Sequence, residues 1–334
     1  MKRTAAKVVA PKRIELIEEE LPLLAPDEVL IKIAACGICQ TEIAVFDGLV
    51  QGTPGASFRY RDFPSDLGHE VAGVVACVGR DVTELKVGQR VTGIVYSGCG
   101  FATHIIEKAK WLVPVPDKIS LAHALGEPIM CITNIVRLSR LDFADTVYII
   151  GSGYMALLTV AALAHYPLKD IIISGHYYRR LEMAERFGAT VTINAGRENP
   201  WQVIMDHTAG RGVDVVIELT GRMDMLRLGA SVCKAKQKAR LVMAGVYDDE
   251  PFALGNYLQN RAPMLVAAYP NQSPDMIDDL RRGMWALEKG WLPMAELVTH
   301  RFTLEESARG MEMARTKSDG YIKGIIVLDQ SLLI

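Results

Sequence analysis

The segment Thr146-Val-Tyr-Ile-Ile-Gly-Ser-Gly-Tyr-Met-Ala156 decides how the second half of this 334-residue chain folds. The run 146–150 is largely apolar, as expected of a strand buried on both faces. The spacing GxGxxA follows it, and a helical stretch then continues to residue 165. Between a strand and a helix this spacing predicts a dinucleotide site, because glycines let the backbone approach a pyrophosphate that the helix N-terminus stabilises. A purely structural glycine turn is the alternative.

Outward from this segment, short apolar strands alternate with helices of about ten residues. The predicted strands are 171–174, 191–194, 213–219, 240–246 and 264–268, and the predicted helices are 178–187, 200–208 and 223–233. This alternation predicts an α/β fold with a doubly wound parallel sheet. The expected dinucleotide-binding residues at its first turn are Gly151, Ser152, Gly153, Tyr154 and Met155.

The end of the second strand predicts which dinucleotide binds. A site specific for NAD places an Asp or Glu there to bind the ribose hydroxyls. Here the strand continues into Gly175 and His176 and then into Arg179 and Arg180 at a helix start. A small residue leaves room for a 2′-phosphate, and a guanidinium can bind it, so these four residues predict a preference for NADP(H) over NAD(H). The alternative is that the arginines only face solvent.

The first part of the chain has a β-rich pattern interrupted by glycine and proline. Its predicted strands are 6–10, 13–17, 28–35, 70–78, 90–95 and 111–115, and the segment 48–66 is expected to form a loop near a site. The chain ends in a strand–helix–strand pattern, which can return to this first domain. The expected organisation is a β-rich domain from 1–130, a dinucleotide-binding domain from 131–268 and a return to the first domain over 269–334.

Composition excludes several classes of protein. Hydrophobic residues make up 50% and charged residues 23%, which is typical of a globular protein and excludes disorder, collagen and coiled coil. The 37 Lys and Arg balance 39 Asp and Glu, so bulk charge favours neither nucleic acid nor an anionic membrane. No apolar stretch approaches the ~20 residues of a membrane helix, and no signal-peptide core is evident. The six cysteines are too sparse for a disulfide framework, which favours the cytoplasm.

Two short motifs carry metal-binding residue types. Cys36-Gly-Ile-Cys39 has no second CxxC partner, which excludes a four-cysteine zinc ribbon. Gly68-His69-Glu70 is not a metalloprotease helix, because Gly73 stands where the second histidine would be. The Cys39 thiolate, the His69 imidazole and a carboxylate together offer three zinc ligands and leave one position open for a substrate oxygen.

The run Gly68-His-Glu-x2-Gly73-x5-Gly79-x2-Val82 resembles the signature of zinc-containing alcohol dehydrogenases of the medium-chain dehydrogenase/reductase superfamily. Further matching stretches follow in the family's order at 29–42, 88–91, 111–116 and 151–156. The resemblance therefore covers nearly the whole chain. It implies a GroES-like catalytic domain formed by both chain ends, with a Rossmann domain inserted between them.

The resemblance also implies roles for individual residues. Cys39 and His69 become zinc ligands, whereas Cys36 does not. Gly126-Glu127-Pro128 is similar to the polyol and threonine dehydrogenase branch, so Glu127 becomes the third ligand or a near-ligand, and Glu70 can join or exchange with it. In the same way Thr41 is expected to hydrogen-bond the alcohol and start proton release. Glu42 is expected to orient the zinc histidine.

Two departures from the family pattern change what is expected. The structural zinc lobe needs four closely spaced cysteines, but the corresponding stretch contains only Cys99, so one zinc per chain is expected. Many members carry a proton-relay histidine five positions after the zinc cysteine, where this chain has Ala44. Another relay or solvent must therefore carry the proton.

The expected activity is zinc-dependent hydride transfer between a secondary alcohol or sugar-type hydroxyl and NADP(H). An NAD-dependent polyol dehydrogenase of the same family is the alternative. A zinc-free quinone or enoyl reductase is disfavoured, because those enzymes lack the Cys39, His69 and Glu127 set. A dinucleotide-binding sensor or scaffold would have lost these ligands. The expected partners are a small alcohol, polyol or carbonyl substrate and further copies of the chain, as a homodimer or homotetramer; the sequence does not identify the substrate.

Overall fold

The computed structural model describes residues 1–48, 62–95, 98–235, 239–247, 254–270 and 273–334, and most of the expected loop 48–66 lies outside them. The strands are β1 (Lys2–Ala10), β2 (Arg13–Glu20), β3 (Glu28–Gly37), β4 (Ser65–Asp66), β5 (Glu70–Val78), β6 (Arg90–Gly93), β7 (His104–Lys108), β8 (Leu112–Pro114), β9 (Thr146–Ile150), β10 (Asp170–Gly175), β11 (Val191–Asn194), β12 (Val215–Glu218), β13 (Arg240–Met243), β14 (Met264–Ala267), β15 (Val298–Thr303) and β16 (Lys323–Val327). The helices are α1 (Gln40–Asp47), α2 (Gly126–Ser139), α3 (Tyr154–Leu163), α4 (Tyr178–Arg186), α5 (Pro200–His207), α6 (Met223–Val232), α7 (Asn256–Asn260), α8 (Met276–Glu288), α9 (Met294–Leu297) and α10 (Ser307–Thr316).

The described chain forms two compact units. The first comprises Met1–Ile129, Leu280–Glu288 and Met294–Ile334, and the second comprises Met130–Asp279 and Lys289–Pro293. The chain passes from one unit to the other within α2 and α8. The second unit therefore extends to Asp279, whereas the sequence pattern predicted a return to the first domain from 269.

The first unit is built around a seven-stranded sheet. Its strand order is β15-β16-β3-β5-β6-β8, with β7 paired to β3, and a three-stranded sheet β2-β1-β4 accompanies it. β16 and β5 both pair antiparallel with β3, so that Gly37 lies opposite Ile325 on one side and Glu70 on the other. The last strand of the chain thus lies beside the strands that lead to the candidate metal ligands.

The second unit contains a six-stranded sheet in which every neighbouring pair of strands is parallel. Its order is β11-β10-β9-β12-β13-β14. The strands from β9 to β11 are added towards one edge and those from β12 to β14 towards the other, so the strand order reverses between β9 and β12. Core residues such as Tyr148, Ile172 and Val216 are fully buried, as expected for strands covered by helices on both faces. The predicted α/β fold with a doubly wound sheet is confirmed. Among the described helices, none is long and apolar enough to cross a membrane.

Candidate metal centre and dinucleotide site

Cys39 lies at the N-terminus of a helix whose first turn is capped by one of the helix's own side chains. β3 ends at Gly37, and Cys39 is the N-cap residue of α1. Glu42, three residues later, accepts a hydrogen bond from the Cys39 backbone N–H at 2.8 Å through Oε2. This contact resembles half of a capping box and satisfies a helix donor that otherwise has no partner. It fixes the direction in which the Cys39 side chain leaves the backbone.

His69 is held by the same carboxylate. The imidazole is buried, and its Nδ1 forms a short contact with Glu42 Oε1, so that Nε2 is the ring nitrogen on the side of Glu127. Burial disfavours the charged imidazole, but the Glu42 carboxylate and the Cys39 sulfur outweigh burial and raise the pKa of His69 well above its usual range. Burial alone would raise the pKa of Glu42, yet the imidazole lowers it. Glu42 therefore stands where it selects the tautomer and the orientation of His69.

The four candidate metal ligands lie close together in the first unit. One ligand atom each of Cys39, His69 and Glu70 lies within 4.8 Å of the others. Glu127 Oε1 lies 3.9 Å from His69 Nε2. Nitrogen and oxygen ligands of a tetrahedral zinc are about 3.3 Å apart, so the Glu127–His69 pair would need only a small contraction. A soft sulfur, an imidazole nitrogen and carboxylate oxygens suit zinc.

A glycine lets the helix that carries Glu127 approach the sheet. A Cβ on Gly126 would lie 2.6 Å from the Thr92 hydroxyl and 3.0 Å from the Gly93 backbone nitrogen, so a side chain here would force its neighbours to shift. Glycine therefore permits the close contact between the start of α2 and β6. This contact sets the position from which Glu127 reaches His69.

The expected dinucleotide fingerprint lies at the carboxyl end of β9. Gly151 has a φ of +107°, which favours glycine, and Gly153 is the N-cap residue of α3. Ala156 is buried at the start of this helix, where a larger residue would separate helix from strand. The fingerprint thus occupies the strand–turn–helix context in which backbone N–H groups can bind a pyrophosphate.

Gly175 is adjacent to the fingerprint, and the Ser152 side chain occupies the space that a side chain at position 175 would need. A Cβ at position 175 would lie 2.1 Å from Ser152 Oγ and 2.5 Å from Ser152 Cβ. The space that the sequence assigned to a 2′-phosphate is therefore occupied, at least next to Cα, by the Ser152 side chain. An aspartate introduced at Gly175 would have to displace that side chain before it could reach a ribose.

Comparisons with known proteins agree with this architecture. Residues 25–117 match the profile of the alcohol dehydrogenase GroES-like domain, and residues 155–282 match that of the zinc-binding dehydrogenase. Sorbitol dehydrogenase of Bacillus subtilis is 27% identical over 93% of this chain and 93% of that protein. The chain belongs to the zinc-type alcohol dehydrogenase family. It is an oxidoreductase of the medium-chain dehydrogenase/reductase superfamily.

Solved structures of such dehydrogenases share the whole fold. A protein provisionally named a zinc-binding dehydrogenase, from Sinorhizobium meliloti 1021 and bound to NADP, aligns with a TM-score of 0.86 at 23% identity, covering 98% of this chain and all of that one (100%). A short chain alcohol dehydrogenase from Escherichia coli CFT073 in complex with NADH aligns with a TM-score of 0.84 at 20% identity, covering 98% of this chain and 99% of that one. At these identities the likeness concerns the fold alone.

The two predicted arginines of this dehydrogenase have different surroundings. Arg179 is exposed in the first turn of α4. Arg180 is mostly buried, with its guanidinium 4.7 Å from the centre of the Tyr177 ring, and burial lowers its pKa. His176 is exposed at the end of β10. Sequence reasoning missed Arg197, which follows β11 and lies 4.9 Å over the Tyr178 ring on the neighbouring helix.

Sequence reasoning also missed Lys323, a buried lysine in the first unit of the dehydrogenase. Lys323 is buried at the start of β16, and its Nζ donates to Glu70 Oε1 at 2.6 Å and to the Ile38 carbonyl at 2.9 Å. Burial raises the pKa of Glu70, and the Lys323 ammonium opposes that shift. The signal in the sequence was a single lysine within the apolar run 321–328, where a buried strand would normally carry no charge.

Of the remaining predicted residues, Thr41 lies beside a candidate metal ligand, whereas Cys36 lies outside the ligand cluster. The Thr41 hydroxyl lies 3.8 Å from Cys39 Sγ, on the first turn of α1. Cys36 is fully buried, and its sulfur packs against Gly68 and Gly100. A Cβ on either glycine would lie 2.8 Å from that sulfur. Burial, with Glu42 and Glu70 nearby, raises the pKa of Cys36 well above its usual range. Within the described part of the chain, Cys36 is not in the metal-ligand cluster.

Proposed function

We propose that this enzyme is a zinc-dependent alcohol or polyol dehydrogenase that transfers hydride between a secondary alcohol or sugar-type hydroxyl and NADP(H). The observation that carries the proposal is the convergence of Cys39, His69, Glu70 and Glu127, with Glu42 on the far nitrogen of the imidazole. A half-buried thiol beside a buried imidazole and buried carboxylates is a costly cluster unless a cation compensates it. Quinone reductases without zinc need no such cluster.

Within that cluster we propose Cys39, His69 and Glu127 as the resident zinc ligands. Glu70 lies within 4.8 Å of the Cys39 and His69 ligand atoms, but Lys323 already neutralises its charge. With the Cys39 thiolate and the Glu127 carboxylate as ligands, the two negative charges would balance a bound zinc ion. Glu70 is then available to exchange with Glu127 at the cost of its contact with Lys323.

Zinc in this position would act as a Lewis acid and lower the pKa of the substrate alcohol. The residues of the chain supply orientation and proton transfer. Glu42 keeps Nδ1 of His69 protonated, so that Nε2 faces the centre. We propose that the Thr41 hydroxyl, 3.8 Å from Cys39 Sγ, accepts the proton of the alcohol and passes it on. Ala44 offers no relay group, so ribose hydroxyls or water must complete the path to solvent.

The substrate proposal is tested by metal content together with a substrate panel. We expect one zinc per chain in freshly purified protein, and NADP⁺-dependent oxidation of polyols or secondary alcohols followed at 340 nm. Glu127→Gln should lower the zinc content, whereas Glu70→Gln should retain it. The reverse pattern would make Glu70 the ligand, and active protein without zinc would exclude the zinc mechanism.

One structural neighbour holds NADP and another NADH, so the neighbours do not distinguish the two cofactors. The proposed preference for NADP(H) therefore rests on the residues of this chain near the end of β10. Neither Gly175 nor His176 at the end of β10 supplies the carboxylate of an NAD site. Arg179 and Arg197 are exposed beside this end, where either guanidinium can bind a 2′-phosphate. Arg180, packed on Tyr177, is better placed to support the helix start.

Cofactor preference is measured as kcat/KM for NADP⁺ and NAD⁺. Arg179→Ala and Arg197→Ala should lower the NADP⁺ value and leave the NAD⁺ value within about twofold. Arg186→Ala, at the other end of α4, is the matched control and should change neither. A tenfold preference of the parent enzyme for NAD⁺ would refute this assignment and favour the NAD-dependent alternative.

Quaternary structure and location remain predictions. We propose a homodimer or homotetramer, supported by the edge strand β14, where Met264 and Leu265 are 37% and 41% exposed. In the described part of the chain β14 is the last strand of its sheet, and an apolar edge strand favours pairing with a second copy. Light scattering measures the assembly directly. We also propose a cytoplasmic location, because the six cysteines are too sparse for a disulfide framework.

A further inference from the structure

Glu218, the last residue of β12, is a fully buried carboxylate whose hydrogen bonds all go to two neighbouring turns. Oε1 accepts from the Thr220 backbone N–H at 2.7 Å and from the Thr220 hydroxyl. Oε2 accepts from the Gly221 N–H at 3.0 Å and from the Tyr247 hydroxyl at 2.6 Å. Burial and this carboxylate both raise the pKa of Tyr247, which stays a donor. One side chain therefore holds the turn after β12 and the residue that follows β13.

These turns lie directly beside the dinucleotide fingerprint. A Cβ on Gly151 would lie 3.1 Å from Thr220 Cγ2, which is a tight contact. The two turns also touch through their backbones, since a Cβ on Gly245 would lie 2.3 Å from the Gly221 nitrogen. Because β9 and β12 are adjacent at the reversal of the sheet, Glu218 stands at the carboxyl edge where ligands of such sheets bind.

We propose that Glu218 and Tyr247 are positioning residues for the nicotinamide half of the cofactor. A dinucleotide spans the reversal point, with one nucleotide on each half of the sheet. β10 and its arginines belong to the half that would bind the adenosine 2′-phosphate. β12 and β13 then provide the surface for the other nucleotide, and Glu218 fixes the shape of that surface. This inference rests on the proposed cofactor binding.

The chemistry of the contacts explains why a carboxylate is needed here. Glutamine at position 218 would keep the shape but would carry one donor nitrogen. In either orientation that nitrogen would face a backbone N–H, of Thr220 or of Gly221, and a backbone donor cannot reverse its role. One turn would lose its hydrogen bond. Tyr247→Phe removes a single donor and leaves both backbone groups satisfied, so its effect should be smaller.

The test compares affinity for NADPH with affinity for 2′-phospho-ADP-ribose, which lacks only the nicotinamide ring. Both are measured by calorimetry on the intact enzyme. We expect Glu218→Gln to weaken NADPH at least tenfold, Tyr247→Phe to weaken it about threefold, and both to bind the fragment within twofold of the parent. The ratio of the two affinities is a readout that general loss of stability does not change.

Asp214→Asn is the matched control. Asp214 lies at the opposite end of the same strand, where it accepts from the Thr146 N–H at 2.9 Å and contacts Lys234 at 2.5 Å. It should lower thermal stability without changing either affinity. The proposal would be overturned if both test variants lost affinity for NADPH and for the fragment equally, or if their affinity for NADPH did not fall. Tyr247→Phe decides if Glu218→Gln does not fold. A parent enzyme that binds neither NADPH nor NADH would instead refute the proposed function, and this inference with it.

Discussion

Lys323→Met tests whether the buried ion pair in the first unit stabilises the metal centre. The substitution keeps most of the side-chain volume and removes only the ammonium. Glu70 would then lie 1% exposed without its counter-ion, and the Ile38 carbonyl would lose a donor at 2.9 Å. The variant therefore isolates the charge from the packing.

The magnitude follows from the burial of both partners. Breaking a buried ion pair by removing one partner costs about 3–5 kcal/mol, because an uncompensated charge remains. In a unit of this size each kcal/mol lowers the melting temperature by about 2–4 °C. We therefore expect Lys323→Met to lower the melting temperature of the first unit by roughly 6–20 °C.

The assay is thermal unfolding of metal-free protein, so that zinc binding does not contribute. Adding Glu70→Gln removes the stranded charge and should restore at least half of the loss. Lys108→Met is the control, because its pair with Asp27 spans 3.3 Å with both side chains about half exposed (46% and 56%), and such pairs contribute under about 1 kcal/mol. A Lys323→Met variant that melts with the control, or a double variant with purely additive losses, would refute the reasoning.

Two further predictions concern the metal centre and proton transfer. Cys39→Ala should abolish zinc binding and turnover while cofactor affinity, measured by calorimetry, stays within about twofold; Cys36→Ala, which removes a packed sulfur outside the cluster, should keep its zinc and most activity. Thr41→Val should lower kcat for alcohol oxidation by about 10²–10⁴, typical of a lost acid–base contact, whereas Thr41→Ser should retain most of it. Full zinc loss in Cys36→Ala, or an unchanged rate in Thr41→Val, would reassign these residues.

The fold could be predicted from local pattern because its signals are short in range. The apolar run 146–150 with its glycines predicted β9 and the start of α3, and the β-rich pattern of the first part predicted β1, β3 and β5. Cys39 and His69 could be singled out as metal-binding residue types in short motifs, and Glu42 from its position in the family's sequence pattern. Such features depend on neighbours in the sequence.

The contacts that could not be predicted join distant parts of the chain. Lys323 meets Glu70 across 253 residues, and nothing near either residue announces the pairing. Gly175 was interpreted as room for a phosphate, but Ser152, from the previous strand–helix turn, fills the adjacent space. Arg179 and Arg180 are neighbours in sequence, yet the helix buries one and exposes the other. Each case is decided by tertiary packing.

The peptide bond between Ile38 and Cys39 shows how these distant contacts serve the metal centre. Its carbonyl accepts from Lys323 at 2.9 Å, and its N–H donates to Glu42 at 2.8 Å. Both polar groups of one peptide are thus held by buried charges of opposite sign, and each of those charges also binds a candidate ligand, Glu70 or His69. Rotation of the peptide would break both contacts at once. The position of the Cys39 sulfur is therefore coupled to the positions of its partner ligands before any metal binds.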